Sequence, residues 1–335
     1  MADMWMVRSH GGRHYDDFRD RGAAGIGFKE IASIAKPGVD KKTLADAYRR
    51  AVPDMSEASA ITASSQVHRF VNEMQVGDYV VTYSPANRTY LVGRITGPSE
   101  LHLEWEAEGM NLSRPVEWMP REVDRDSLRT VSKNSLGSTL TIFKLSNSVR
   151  DELLALARGD ASPPVEPEVV DDEDVVDPLS DYEAIAFERI KDLVSRLDWK
   201  DFQDLVAGIL RAMGYKTQVS PPGSDLGRDI LASPDGFGFE QPRIVVEVKH
   251  RKESVSSYGI RSFVGGRHKD DRCLYVSTGG FTRDARYEAD RSSIPVVLWT
   301  VEELTKALID NYDNTDGKTK ALVSLRTFYA PAADV

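Results

Sequence analysis

Cysteine is almost missing from this chain: 335 residues hold one, Cys273, so no internal disulfide can form and no cysteine cluster exists to hold zinc. Set in the strand-like run RCLYVS, that thiol reads as a small buried hydrophobe. Long apolar runs are missing too, since no window approaches the roughly eighteen apolar residues of a membrane span. The N-terminus, MADMWMVRSHGGR, has no basic stretch leading into an apolar segment. A cytoplasmic protein is the expectation. An excess of basic charge is also lacking, with 43 Lys and Arg against 53 Asp and Glu, a net charge of −10.

That acidity is local. Residues 159–183, GDASPPVEPEVVDDEDVVDPLSDYE, hold ten acids, no bases and four prolines, whereas residues 1–158 carry 21 of each sign and residues 184–335 carry 22 of each. Such a stretch is self-repelling and poor in apolar anchors, which makes it an extended interdomain linker. An acidic mimic covering a basic site is the other reading. Two bodies without net charge can still display basic clefts, so the overall charge does not exclude a nucleic-acid partner.

The first body, residues 1–158, opens with the strand-like MWMVR and continues into helical KKTLADAYRRAV and ASAITASSQVHRFVNEM. In the latter, Ile61, Ser64, Val67, Phe70, Val71 and Met74 recur at spacings of three and four and form an apolar stripe. Then GDYVVTYSPANRTYLVGRITG reads as two strands about a turn, with more strands at RPVEWMPREV and STLTIFKL. A small α+β domain is implied, a curled sheet or barrel with helices outside. His10 and His14 stand four apart, but Gly11 and Gly12 argue against a helix there and so against a metal site.

The second body, residues 184–335, alternates strands and helices. The segment DFQDLVAGILRAMGY places Phe202, Leu205, Val206, Ile209, Leu210 and Met213 on one helix face, with Gly214 as a stop. Strands follow at KTQVS, GRDILAS, RIVVEVKH, RCLYVS and PVVLWT, with helices at SVSSYGIRSFVGG and TRDARYEADR. A last helix begins with a capping-box pattern at Thr300 and Glu303. This order predicts an α/β sandwich about a mixed sheet.

Chemistry concentrates in RIVVEVKHR, residues 243–251. Strand alternation puts Val245, Glu247 and Lys249 on one face and Ile244, Val246 and Val248 on the other, so one face is core and the other ends in a charged pair. A lone Glu-x-Lys is also the mark of a solvated amphipathic strand. Asp229, in GSDLGRDILAS, starts the preceding strand, and adjacent strands would bring its carboxylate to Glu247. Neighbouring acids repel unless something positive lies between them, and oxygen ligands favour Mg2+ or Mn2+. Lys249 then points along the same face and can orient a water and offset charge on a phosphate. Hydrolysis of a phosphodiester is the implied reaction. After the strand, Arg251 and Lys252 in KHRKESV are candidate phosphate contacts, while His250 faces away. In STGGFTRDARYEADR, Thr282 can cap a helix that carries Arg283 and Arg286 toward a nucleic-acid backbone; a solvated helix face is the alternative.

These blocks, DFQDLVAGILRAMGY, GSDLGRDI, VVEVKH, GIRSFVGG, VSTGGFTRDARYEA and VVLWTVEEL, resemble in order and spacing the Mrr-type restriction endonuclease domain of the PD-(D/E)xK nuclease superfamily. The resemblance implies a restriction-endonuclease-like fold, Asp229 and Glu247 as metal ligands and Lys249 as the catalytic lysine. Where such domains commonly carry Phe-Glu, this chain has Phe202-Gln203; Gln203 can offer a carbonyl oxygen to a metal or its water but no charge, which puts a second metal in doubt. Asp225 is a substitute ligand or a turn former. The segment RFVNEMQVGDYVVTYSPANRTYLVGRITG with RPVEWMPREV is similar to PUA-like domains, which include the EVE, YTH and SRA readers of modified bases. That likeness makes Trp5, Tyr83 and Trp118 candidate walls of a flipped-base pocket, though each also reads as core.

Together the two resemblances imply a modification-dependent, type IV-like DNA endonuclease that uses Mg2+, with Mn2+ able to substitute. Its partners would be modified double-stranded DNA and a second copy of itself, because cutting both strands needs two active sites. The residues leave open a catalytically weak nucleic-acid sensor, or a nuclease for junctions or RNA.

Overall fold

The strand candidates of the first body form one curled mixed sheet in the computed structural model, which describes residues 2–138, 140–161, 163, 178–220 and 228–328. Asp225 and most of the acidic stretch lie outside the described residues. The chain divides into two compact units between residues 185 and 186. A helix spans Pro178–Ser195, so the last six residues of the expected linker are helical.

In the first unit the strands are β1 (Met4–Val7), β2 (Ala23–Ile26), β3 (Tyr79–Ser84), β4 (Thr89–Ile95), β5 (Glu100–Leu101), β6 (Leu112–Trp118), β7 (Val123–Asp124) and β8 (Ile142–Lys144). Their order is β2-β6-β4-β3-β1-β8, with β5 on β6 and β7 on β4. Only β1 and β3 run parallel, Met4 opposite Tyr79; the other described pairs are antiparallel. Alternation along β1 sends Trp5 and Val7 into one core and Met4 and Met6 into another, so the sheet is covered on both faces.

One helix departs from the expected stripe. The α-helix Glu57–His68 passes into a π-turn over Arg69–Glu73, which shifts the following side chains around the axis. Val67, Phe70, Val71 and Met74 are buried as expected, but Ile61 is half exposed to solvent. The buried guanidinium of Arg114 donates to the carbonyls of Phe70 and Val71 at 2.7 and 3.2 Å, satisfying backbone acceptors at the turn.

The second unit is a five-stranded sheet in the order β13-β12-β11-β10-β9. Its strands are β9 (Lys216–Val219), β10 (Ile230–Ser233), β11 (Arg243–Lys249), β12 (Asp271–Ser277) and β13 (Val296–Trp299). The β9, β10 and β11 pairings are antiparallel, and those of β11 with β12 and β12 with β13 are parallel. Helices Trp199–Ala212 and Val301–Asp310 pack on Val246, Val248, Leu274 and Val276. Helices Ser257–Val264 and Arg283–Asp290 pack on Val245, Cys273 and Tyr275 from the other side. The α/β sandwich about a mixed sheet is therefore present.

Two positions differ from expectation. β11, expected to be core on one face only, is the central strand, and Val245 on the Glu247 side is as buried as Val246 and Val248 on the other. Met213, expected on the buried face of its helix, is exposed because the helix ends at Ala212 and Gly214 turns the chain with φ +96°. A further short helix, Gly317–Leu322, packs against Gly208, where a Cβ would stand 2.1 Å from Thr319 Oγ1. No helix among the described residues is long and apolar enough to cross a membrane.

Cys273 lies in the second core, where burial pushes its thiol up to about 11. Because the thiolate is the reactive form, the native protein should resist a thiol-labelling reagent at pH 8, and unfolding in guanidinium should release one reactive thiol per chain. Rapid labelling of the native protein would contradict this packing.

Candidate functional site

Asp229 directly precedes β10, and Ile230 is paired with Val246 of β11. The Asp229 N–H donates to the Val246 carbonyl at 2.9 Å, and its carboxylate accepts from the Val248 N–H at 2.6 Å. The acid is thus held beside the Glu247 segment of the neighbouring strand by both backbone and side chain. Its own carbonyl accepts from the Ser220 N–H at 2.8 Å and from Gln203 Nε2 at 3.0 Å. Gln203 is 2% exposed, so the helix Trp199–Ala212 is anchored to the start of β10 through a buried hydrogen bond.

Glu247 and Lys249 share a face as the alternation requires, and they touch: Lys249 Nζ lies 2.7 Å from Glu247 Oε1. The Lys249 side chain remains 37% exposed while that of Glu247 is 10% exposed, so the pair sits where the buried sheet meets solvent. The same Oε1 accepts from the hydroxyl of Tyr275, 3.2 Å away on β12, where Tyr275 is in register with Glu247. Burial first, and then the Glu247 charge, raise the Tyr275 phenol well above the ordinary tyrosine range, so it remains a donor. One step along, Ser277 is in register with Lys249, and its buried hydroxyl has no hydrogen-bond partner among the described residues.

His250 turns to the opposite face, as expected. Its ring stacks on Phe202 with centroids 4.8 Å apart, and Nε2 pairs with the Leu197 carbonyl at 2.6 Å.

The chain leaving β11 is laced to the chain leaving β12. Thr278 Oγ1 accepts from the Arg251 N–H at 2.9 Å, Ser254 Oγ donates to the Gly279 carbonyl at 2.8 Å, and Val255 N–H donates to the Gly280 carbonyl at 3.0 Å. A Cβ on Gly279 would come within 2.5 Å of the Glu253 carbonyl oxygen and 2.7 Å of those of Arg251 and Lys252, so this approach needs glycine. Thr282 caps the next helix through Ala285 N–H at 3.2 Å. Its own N–H donates to Val255 at 3.0 Å. This lacing brings the turn bearing Arg251 and Lys252 beside the start of the helix bearing Arg283 and Arg286, all four exposed.

The oxygen-only donor set suits a hard divalent cation. Among the described residues no group of three or more His, Cys, Asp or Glu could hold a metal, and the arrangement is a pair, Asp229 and Glu247. Mg2+ commonly takes one or two protein carboxylates and fills its remaining positions with water and phosphate. The residues present fit that ion.

In the first unit the three candidate aromatics do not wall one pocket. Trp5 and Tyr83 are 4% and 2% exposed and belong to the separate cores on the two sides of the sheet. Trp5 Nε1 donates to Asp78 at 3.2 Å, Tyr83 stacks on Tyr90 with centroids 4.6 Å apart, and Trp118 Nε1 donates to the Phe18 carbonyl at 2.8 Å. Those positions are structural.

A cavity of about 490 Å³ lies elsewhere in this unit, lined among others by His10, Arg13, His14, Phe28, Lys29 and Asn111. Three described non-glycine residues have positive φ, and two of them, His10 at 49° and Phe28 at 67°, line it. Strained backbone of this kind clusters at ligand sites. Ser9–Gly12 is a tight turn with no α-helical run, yet it brings the His10 and His14 rings edge to face at 5.1 Å. Burial, then the His14 and Arg13 charges, hold the His10 imidazole below its ordinary range.

Residues 194–308 match the Mrr_cat restriction endonuclease family, and this region is a domain of that kind. Residues 4–146 match a domain of unknown function, DUF8426. An uncharacterized protein of Sinorhizobium fredii, y4cE, is 28% identical over 98 residues, 28% of this chain; the chain spans about a quarter, 25%, of that relative. Among solved structures, the MspJI restriction endonuclease in complex with a 27-mer oligonucleotide aligns with 96% of this chain and 79% of its own at 16% identity and a TM-score of 0.31. The DNA modification-dependent restriction endonuclease AspBHI aligns with 73% of this chain and 67% of its own at 15% identity, also with a TM-score of 0.31.

Tyr275 carries no signal in the sequence, since only parallel pairing of β12 on β11 puts it against Glu247. Among the cavity residues only the spacing of His10 and His14 stands out in the sequence; Arg13, Phe28, Lys29 and Asn111 join them through turns without periodicity. Gln203→Ala should lower unfolding free energy by about 0.5–1.5 kcal/mol, the net worth of one hydrogen bond, since the Asp229 carbonyl keeps the Ser220 N–H. A urea titration with no shift in midpoint would show that the helix is not anchored through this amide.

Proposed function

We propose that the chain is a modification-dependent DNA endonuclease in which the second unit hydrolyses the phosphodiester and the first selects modified DNA. The observation that carries this reading is the convergence of Asp229, Glu247 and Lys249 on two paired strands, inside the segment matching the restriction endonuclease family. Asp229 and Glu247 are the residues that would hold Mg2+, or Mn2+ in its place. Bound there, a divalent ion would acidify water and offset charge developing on phosphorus.

Lys249 has the exposure to leave Glu247 and orient the attacking water, with its ammonium offsetting charge on the phosphate. Water adds to phosphorus with loss of a proton to solvent, the P–O bond to the leaving nucleoside breaks, and the departing oxygen takes up a proton from solvent. Arg251, Lys252, Arg283 and Arg286 are assigned to the DNA backbone, where contacts position the duplex without reading its sequence. Gln203 is assigned to positioning Asp229: an ionised glutamate could not donate to that carbonyl, so the amide is explained without loss of catalysis. A homodimer, supplying one active site for each DNA strand, is part of the same proposal.

For modified-base selection, the cavity at His10, His14 and Phe28 replaces the aromatics placed in the cores. Its volume suits a single base, its rings offer stacking surfaces, and Arg13 and Lys29 are cationic partners for the attached phosphate.

Two outcomes check these assignments. Lys249→Ala should reduce Mg2+-dependent cleavage of modified DNA by at least about a hundredfold while leaving salt-sensitive DNA binding in place, measured on a panel of unmodified, methylated, hydroxymethylated and phosphorothioated duplexes. Cleavage at the unaltered rate would remove the lysine from the chemistry. His14→Ala should shrink the ratio of modified to unmodified cleavage rates about tenfold, roughly the worth of one base-stacking contact. An unchanged ratio would move selection away from this cavity.

A further inference from the structure

Glu247 Oε1 receives two donors at once, Lys249 Nζ at 2.7 Å and the Tyr275 hydroxyl at 3.2 Å. The two differ in freedom. The Lys249 side chain is 37% exposed on a flexible stem, whereas Tyr275 is 1% exposed. Its ring is locked edge to face between Phe263 at 5.0 Å and Phe281 at 5.7 Å. Phe281 is in turn fixed by its bridge to Val255, and Phe263 belongs to the helix that covers this face of the sheet. Tyr275 therefore has no rotamer to exchange into without breaking the second core.

The asymmetry gains a role in a metal-dependent site, and the assignment of that role rests on the nuclease function proposed above. Lys249 sits on a flexible, partly exposed stem and can turn its ammonium toward the water, so it does not by itself fix the orientation of the carboxylate. We propose that Tyr275 is a positioning residue for cation binding: its hydroxyl holds Oε1 of Glu247 throughout, so that the carboxylate keeps its orientation and presents Oε2 to the cation when Lys249 is elsewhere. Hydrogen-bond partners behind a metal ligand act in this way, and their removal typically weakens metal binding about 10–100-fold.

The hydroxyl can be deleted without changing the packing. Tyr275→Phe keeps both ring contacts and removes only the donor. The test is Mn2+ binding by the full chain, followed by the electron paramagnetic resonance of free Mn2+, for the native protein, Tyr275→Phe and Glu247→Gln, alongside thermal melting and cleavage kinetics. Tyr275→Phe should weaken Mn2+ binding about tenfold, raise the Mg2+ concentration for half-maximal cleavage by a similar factor, and leave the DNA KM unchanged. Glu247→Gln should lose Mn2+ binding more fully. If Tyr275→Phe melts earlier, the same binding measurement below its transition still decides. Equal Mn2+ affinity in native protein and Tyr275→Phe overturns the positioning role while leaving the nuclease reading intact. Absence of Mn2+ binding by the native protein overturns that reading and the positioning role with it.

Discussion

The antiparallel pairing of β10 with β11 is the constraint on which the second unit depends. Asp229 closes that pairing with a backbone bond to Val246 and a carboxylate bond to Val248, so an acid and a Glu-x-Lys pair separated by a long hairpin become neighbours. The same residue accepts from Gln203, which ties the helix Trp199–Ala212 to the strand start, and from Ser220, next to the edge strand β9. Sheet, helix and candidate site are joined at one residue. Substituting it would disturb all three at once, which is why the conservative changes around it are the more informative probes.

Burial explains where the charges fall. β11 is covered by helices on both faces, and its middle carries valines because no solvated side exists to receive polar groups. Charged side chains sit toward the strand's two ends, Arg243 paired with Asp271 at the start and Lys249 reaching solvent at the finish. Glu247, one step deeper, is accommodated because both a cation and a phenol face it. The glycine at 279 then lets the two chains leaving the sheet run side by side, holding the basic turn next to the basic helix.

In the first unit the physics runs the other way. Its sheet is also covered on both sides, so the strand aromatics Trp5 and Tyr83 fill two cores, the Trp5 indole N–H donating to Asp78 and the Tyr83 ring stacking on Tyr90. The open cavity is made by turns whose backbone is held at positive φ. Such a feature has no period, and its residues are drawn from segments up to about a hundred positions apart, so the pattern of the strands does not point to it.

Much of the second unit was legible in the residues because its signals are local: helix periodicity around Phe202 and Leu205, the capping box at Thr300, the alternation of RIVVEVKH and the acid heading GRDI. Period and capping depend on near neighbours, and these determine which residues share a face and where elements begin. The sequence by itself therefore determined the sandwich, the trio Asp229, Glu247 and Lys249, and the structural turn of His250. What covers each face depends on contacts between distant segments, which no local pattern encodes. Only the tertiary structure decided that β11 is buried on both sides, that Gln203 donates to a backbone carbonyl, that Trp5 and Tyr83 are core, and that Tyr275 stands behind Glu247.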